Sequence, residues 1–339
     1  MNVLLTGAAG LIGGELAARL VAAGHGVTAL VHRNREIRSN DGALVPVAGV
    51  HGCDIAEPLL GFAEDEAKAL ADAHDLIVHC AATVRFDLAD DEYLRTNTHG
   101  TSNVIEFARL GGCGLLYVST AYVCGTREGT IREDDALPTD GFANGYERSK
   151  AGAERLVRAS GLNWAIARPS IVTGDSVTGA IRQFDTIYAA FKLIAEGRVK
   201  QMEARADATL DFVPIDHVAG GLAALVEQWE AAVGGTYHLV SGEPVSVEGF
   251  ADAIGTYPQF ARPELVAPEH FDTAALPPLE RRLYRRIAGL YASYFQRNPR
   301  FDDAELRALT GSQSRATDAE YLRLLIDHCI GAGFLRKPA

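Results

Sequence analysis

Tyr146 and Lys150 stand four apart in Tyr146-Glu147-Arg148-Ser149-Lys150, so on a helix both point to one side. Upstream, the apolar run Leu115 to Val118 ends in two hydroxyl residues, Ser119 and Thr120. Together these groups suit the reduction of a carbonyl. Hydride transfer leaves negative charge on oxygen, and a positioned proton donor must meet it. A free phenol has a pKa of about 10, and a nearby ammonium favours tyrosinate and lowers that value. The Tyr-x-x-x-Lys spacing is common by chance. It gains meaning from its order in the chain, after a nucleotide-type loop and a strand ending in Ser-Thr.

That loop lies at the start. Val3 to Leu5 reads as a buried strand, Thr6-Gly7-Ala8-Ala9-Gly10-Leu11-Ile12-Gly13 as a glycine-rich turn, and Leu11 to Ala23 as a helix. Gly7 permits the turn, Gly10 lets the backbone approach a pyrophosphate, and Gly13 lets the helix lie close to the sheet. The free N–H groups of the first helical turn, at Leu11 and Ile12, then hold the anion.

The elements that must position these groups alternate strand with helix. Val27 to Val31 reads as the second strand and Val45 to Ala48 as the third. The second strand runs into His32-Arg33-Asn34-Arg35 without an acid. An acid there would bind a ribose 2′-hydroxyl, whereas a guanidinium suits a 2′-phosphate. This predicts NADPH, held by Arg33. The bland reading of Arg33 is a solvated surface residue. Asp75 to Ala82 is a buried strand whose small final residues, Ala81 and Ala82, leave room for a ligand. His79 within it reads as a core residue rather than a base. Leu162 to Ala167 and Tyr237 to Val240 complete the strands. Asp216 is expected to cap a helix over Val218 to Val226, and His217 to be structural.

Composition narrows the class. The chain has 339 residues and a net charge of −12, which argues against general nucleic-acid binding. Its five cysteines are scattered, with no Cys-x-x-Cys pair, which suggests reduced thiols, a cytoplasmic setting and no metal site. The chain opens directly on a strand, so no signal peptide is expected. No apolar run approaches a membrane span.

The Thr-Gly-x-x-Gly-x-x-Gly loop with Tyr146 and Lys150 resembles the extended short-chain dehydrogenase/reductases. His79-Cys80-Ala81-Ala82-x-Val84-x-Phe86 with Asn97-x-x-Gly100-Thr101, and Asp54-Ile55-x-x-Pro58-Leu59-Leu60-Gly61, resemble one branch of that family. It contains thioester reductase domains and fatty acyl-CoA reductases, the male sterility group. The resemblance covers about Met1 to Val240. It implies a Rossmann-type α/β fold, a doubly wound parallel sheet over 1–240 with a substrate-side excursion at about 175–210. Residues 241–339 would form a smaller, mainly helical substrate-capping part. It also implies roles. Thr120, five residues before Gly125, would orient the reacting oxygen. Lys150 would hold the nicotinamide ribose, and Asn97 would support the site. Asp54 and Ile55 would flank the adenine. The Arg168-Pro169-x-Ile171 string would run along the nicotinamide at Pro169 and Ile171.

Leu279 to Arg297 carries Leu283, Ile287, Leu290, Tyr291 and Tyr294 at helical spacing, and Arg281, Arg282, Arg285 and Arg286 as a basic cluster. One reading is a lid helix with a solvated face. The other is a dock for an anionic carrier: an acyl carrier protein, CoA phosphates or a membrane surface. The first function expected is reduction of a CoA- or carrier-bound acyl thioester to aldehyde, with a second hydride giving alcohol. With no adenylation or carrier domain in the chain, the thioester would arrive from elsewhere. The alternatives are a reductase of free aldehydes, ketones or hydroxysteroid-like alcohols, a nucleotide-sugar epimerase or dehydratase, and a non-catalytic NADPH sensor.

Overall fold

The computed structural model describes residues 1–185 and 187–338. Seven strands form its centre: β1 (Asn2–Thr6), β2 (Gly26–Val31), β3 (Gly49–Gly52), β4 (Leu76–His79), β5 (Gly114–Val118), β6 (Trp164–Pro169) and β7 (Thr236–Leu239). They lie in the order β7-β6-β5-β4-β1-β2-β3. Every pairing is parallel. Parallel strands need crossovers, and crossovers cover both faces, so Val3, Leu4 and Leu5 are all fully buried. Helices α1 (Leu11–Ala22), α2 (Glu64–Asp72), α3 (Gly100–Gly111), α4 (Gly145–Arg158) and α5 (Ile215–Glu227) supply the cover. α1 and α5 pack together on one face, and α2, α3 and α4 on the other. The order reverses between β1 and β4. A crevice opens at such a reversal, beyond the carboxyl ends of the strands.

A second core stands apart from the sheet. It joins residues 181–212 to residues 247–335 and is rich in Phe and Tyr. Short parallel ribbons tie its distant segments: Gln201–Glu203 with Glu264–Val266, and Gly129–Ile131 with Pro299–Phe301. Helix α6 (Pro278–Arg286) lies on it, burying Glu280 and Tyr284 and leaving Arg282, Arg285 and Arg286 exposed.

Three local expectations shift. The third strand is Gly49–Gly52, not Val45 to Ala48; Val45 and Val47 instead pack from the side against the α1 face. Asp216 is not a cap. The helix starts at Ile215 after Pro214, and the Asp216 carboxylate accepts from the Ser176 N–H at 2.8 Å and its hydroxyl at 2.6 Å. Leu279 to Arg297 is not one helix. It breaks at Ile287 (φ −133°, ψ −67°) and continues as a 3-10 turn over Ala288–Phe295.

Among the described residues, no helix is long and apolar enough to cross a membrane, and no cluster of metal-binding side chains occurs.

Candidate active site

The glycine turn after β1 forms a cradle that side chains would fill. Gly7 has φ +68°, and a Cβ there would lie 2.7 Å from the Ala81 nitrogen. A Cβ on Gly13 would lie 2.3 Å from the Gly7 oxygen. Gly10 caps α1 without a side-chain acceptor. The first-turn N–H groups therefore have no intrahelical partner and point with the positive end of the helix dipole. This cradle fits a pyrophosphate. It opens on a cavity of about 590 Å³ bordered by Arg33, Asp54, Ile55, Ala81 and Ala82. His32 lies 3.8 Å from the Asp54 carboxylate at its rim. A second cavity of about 380 Å³ continues from it, sharing Gly7, Gly10, Cys80 and Ala82. Leu11, Ile12, Gly13, Pro169 and Ile171 border that second space, as do Thr120 and Tyr146.

Three expected site residues stand behind the wall rather than on it: Thr6, Asn97 and Lys150. Thr6 is fully buried, and its hydroxyl belongs to an internal relay. The Ala81 N–H donates to Thr6 Oγ1 at 3.2 Å, and Thr6 Oγ1 lies 2.8 Å from His79 Nδ1. On the other side, His79 Nε2 lies 3.1 Å from Thr101 Oγ1, which donates to the Asn97 carbonyl at 2.6 Å. Thr101 spends its proton on Asn97, so Nε2 must be the donor to Thr101, and Nδ1 accepts from Thr6. His79 is thus a neutral core residue, its pKa pushed down to about 3 by burial and then by the Lys150 charge.

Asn97 sits in a π-helical stretch, Leu94–His99, a distortion frequent at functional sites. Its side chain accepts from the Thr83 N–H at 2.9 Å and donates to Ser149 Oγ at 2.9 Å. It acts on the wall loop and on α4, not on the cavity itself.

α4 buries charge where an ordinary helix buries Leu or Val. Glu147, Lys150 and Glu154 lie along its inner face, and each has its own partner. Glu147 pairs with Arg297, Lys150 Nζ donates to the Val118 carbonyl at 2.7 Å, and Glu154 takes a two-pronged contact from Arg168 at 2.8 and 3.0 Å. Geometry-specific partners fix the rotation of the helix, as packing of interchangeable methyl groups would not. Asn144 caps α4, accepting from the Glu147 N–H at 2.9 Å. Tyr146 emerges from this pinned first turn.

The electrostatics differ from the expectation. Burial pushes the Tyr146 phenol well above its ordinary pKa, the hydrogen bond with Thr120 draws it down, and Glu147 adds to the rise. The Lys150 ammonium is turned to the Val118 carbonyl, and burial brings its own pKa down to about 7. Burial therefore favours the protonated phenol.

The far wall of the 380 Å³ cavity is aromatic. Phe86 lies 5.8 Å from Tyr294 in a stacked pair, 5.1 Å from Tyr291 and 5.5 Å from Tyr146, between ring centroids. Tyr122 and Ile187 also border it. Sequence reasoning places Phe86 only in a motif and Tyr291 and Tyr294 only on a lid helix. The dense aromatic run Tyr284 to Phe295 is the signal that could have found them. Gln183 and Asp185 also border the cavity.

The chain matches the family described as Male sterility protein over residues 5–222. It is 30% identical over 222 residues to one of the subunits of linear gramicidin synthase of Brevibacillus parabrevis, covering 62% of this chain but 4% of that protein. The chain thus spans a small fraction of that far longer relative. It is 30% identical over 261 residues to 4-hydroxy-2-methyl-3-oxo-4-farnesyl-3,4-dihydroquinoline-1-oxide ketoreductase of Stigmatella aurantiaca, covering 74% of this chain and 71% of that one. In structure it is similar to the terminal R domain of the myxalamid PKS-NRPS pathway, with a TM-score of 0.83 and 26% identity, covering 100% of this chain and 92% of that one. The chain belongs to the male sterility protein family, the thioester reductase branch of the extended short-chain dehydrogenase/reductases.

Proposed function

We propose that the protein uses NADPH to reduce an acyl thioester, bound to CoA or a carrier protein, to an aldehyde. The observation that carries this reading is that Thr120 and Tyr146 open on the same cavity as the glycine cradle. The resemblance to a terminal R domain over the whole chain supports it. The cofactor, when bound, supplies a hydride. Gly7, Gly10 and the first turn of α1 would hold its pyrophosphate, Asp54 and Ile55 the adenine, and Arg33 a 2′-phosphate. Pro169 and Ile171 would wall the nicotinamide, and Lys150 would serve its ribose from behind. Thr120 donates to the thioester oxygen and orients the carbonyl. Tyr146, kept protonated by burial, gives its proton as charge grows on that oxygen. The resulting hemithioacetal breaks its C–S bond to give aldehyde and thiol. Residues 241–339, with the excursion before them, act in this reading as the substrate cap. Five cysteines without disulfides fit a reducing, cytoplasmic setting.

The basic cluster on α6 supports delivery by an anionic carrier. Arg282, Arg285 and Arg286 have no carboxylate within ion-pairing distance among the described residues. Arg85, and more weakly Arg286, draw the Asp87 carboxyl below its ordinary range, which sets the cluster near the loop carrying Phe86. An Arg282→Glu/Arg286→Glu variant should raise KM for a carrier-bound substrate and leave a short free aldehyde unchanged. Equal effects on both would remove the docking role.

The Stigmatella aurantiaca relative favours a second reading, reduction of a free ketone, because its name describes a ketoreductase and most of its length is matched. NADPH oxidation with a medium-chain acyl-CoA, its aldehyde and a simple ketone separates the two. Acyl-CoA turnover, reduced about 1000-fold in Tyr146→Phe, supports thioester reduction. Turnover of ketone alone supports the second.

A further inference from the structure

The proton-donor chemistry makes no use of the buried cation Arg297. Arg297 is 4% exposed and follows the 3-10 turn that carries Tyr291 and Tyr294. Its Nη2 donates to Glu147 Oε1 at 2.5 Å, and Nη1 donates to the Gly125 carbonyl at 2.9 Å. The guanidinium lies over two rings, 4.6 Å from the centre of Tyr294 and 5.0 Å from that of Tyr122. Two of these partners, Tyr294 and Tyr122, border the cavity, and Glu147 adjoins Tyr146 in the chain. Tyr122 also donates its N–H to Thr120 Oγ1 at 3.3 Å. Glu147 follows Tyr146 directly, and its second oxygen accepts from the Ala143 N–H at 3.0 Å, just ahead of α4.

A buried ion pair is a poor source of net stability, because desolvation offsets most of its attraction. Leu or Met would fill this space at less cost. What a guanidinium adds is a planar fork with fixed directions. Here those directions join the cap, the turn after β5 and the first turn of α4.

We propose that Arg297 is a positioning residue that registers the cap against α4, so that the aromatic wall and the Tyr146 phenol reach working geometry together. It acts through Glu147 and the two tyrosine rings and does not touch substrate. This rests on the carbonyl-reductase reading above, with Tyr146 as proton donor.

The test uses the full chain as Arg297→Met, Arg297→Lys and the double variant Arg297→Met/Glu147→Gln. Three quantities are read: kcat, NADPH Kd, and hydrogen exchange of peptides covering 140–150 and 288–297. Tm is followed beside them. Arg297→Met should lower kcat about 100-fold through misplacement of the phenol, with NADPH Kd within about twofold. Exchange should rise in both peptides together. Arg297→Lys should fall between, since one ammonium cannot reach both oxygen partners along two fixed directions. The double variant removes the unpaired buried charge, so its Tm should recover while kcat stays low. Recovery of kcat along with Tm would overturn the proposal, leaving the pair structural only. So would exchange rising at 288–297 while 140–150 stays protected. If the unaltered protein turns over no carbonyl substrate, the function reading fails, and the exchange arm still decides the coupling.

Discussion

The sheet and the cap are built from different materials. The two cores on the sheet are almost wholly aliphatic, with Leu, Val, Ile and Ala from strands and helices in regular alternation. The cap core is crowded with aromatic rings, among them Tyr188, Phe191, Phe212, Phe250, Tyr291 and Tyr294. The sheet half offers backbone to a ligand: a glycine turn and the N–H groups of α1. The cap half presents side-chain surface. Backbone sites tolerate almost no change at a few glycines, whereas a side-chain wall can be rebuilt residue by residue. The difference implies that cofactor binding is the fixed function of the chain and substrate choice the adjustable one. Tyr146 and Thr120 stand at the seam and should respond to damage on either side.

The largest effect that could break this contrast lies at Gly13. A valine there would drive its Cβ into the Gly7 carbonyl, 2.3 Å away. NADPH binding, followed by fluorescence titration, should be lost. Retained binding would mean the cradle is not the pyrophosphate site. Next in size is Arg33→Gln. It should raise KM for NADPH about tenfold and leave KM for NADH unchanged. Equal effects on both cofactors would remove the 2′-phosphate reading. A comparable change on the cap side is Phe86→Ala, which opens the stack with Tyr294. It should raise KM for the acyl substrate by up to about tenfold and leave NADPH Kd unchanged, so the two halves separate in one pair of variants. The smallest effect is in pH. Lys150 loses its proton at about 7 in the folded chain, below its ordinary 10.5, because burial disfavours the ammonium. Its charged form therefore dominates only below that value. kcat/KM for NADPH, which reports the free protein, should be flat on the acid side and fall several-fold as pH rises through about 7 to 8. A profile flat across that range would show that the ammonium is not needed to receive the cofactor.

The contrast also explains what could be read in the sequence. The glycine turn, the short apolar strands and the Tyr146/Lys150 spacing are local patterns with a period or a fixed offset, and the structure brings Gly7, Gly10, Tyr146, Thr120, Pro169 and Ile171 to adjoining cavities. β3 lies away from its expected place because Val45-x-Val47 alternates like a strand, while Gly49–Gly52 lacks a continuous apolar run. Lys150 donates to the Val118 carbonyl, a partner on β5 that has no signal in the local pattern. The cap is mostly illegible. Its ribbons pair residues far apart, such as Gly129 with Pro299 and Gln201 with Glu264, and the break at Ile287 interrupts an otherwise clean helical pattern. Arg297 looks like the last charge of a basic stretch, and only its partner Glu147, 150 residues away, shows otherwise.

The measurement closest to the central claim follows the hydride itself. The protein would be given a medium-chain acyl-CoA and NADPH deuterated at the nicotinamide C4, with aldehyde trapped as an oxime and analysed by mass spectrometry. The account predicts deuterium at the former thioester carbonyl carbon, with the label lost in Tyr146→Phe while NADPH Kd is unchanged. Bound NADPH with no label in any acyl product, beside ready labelling of a free ketone, would contradict it.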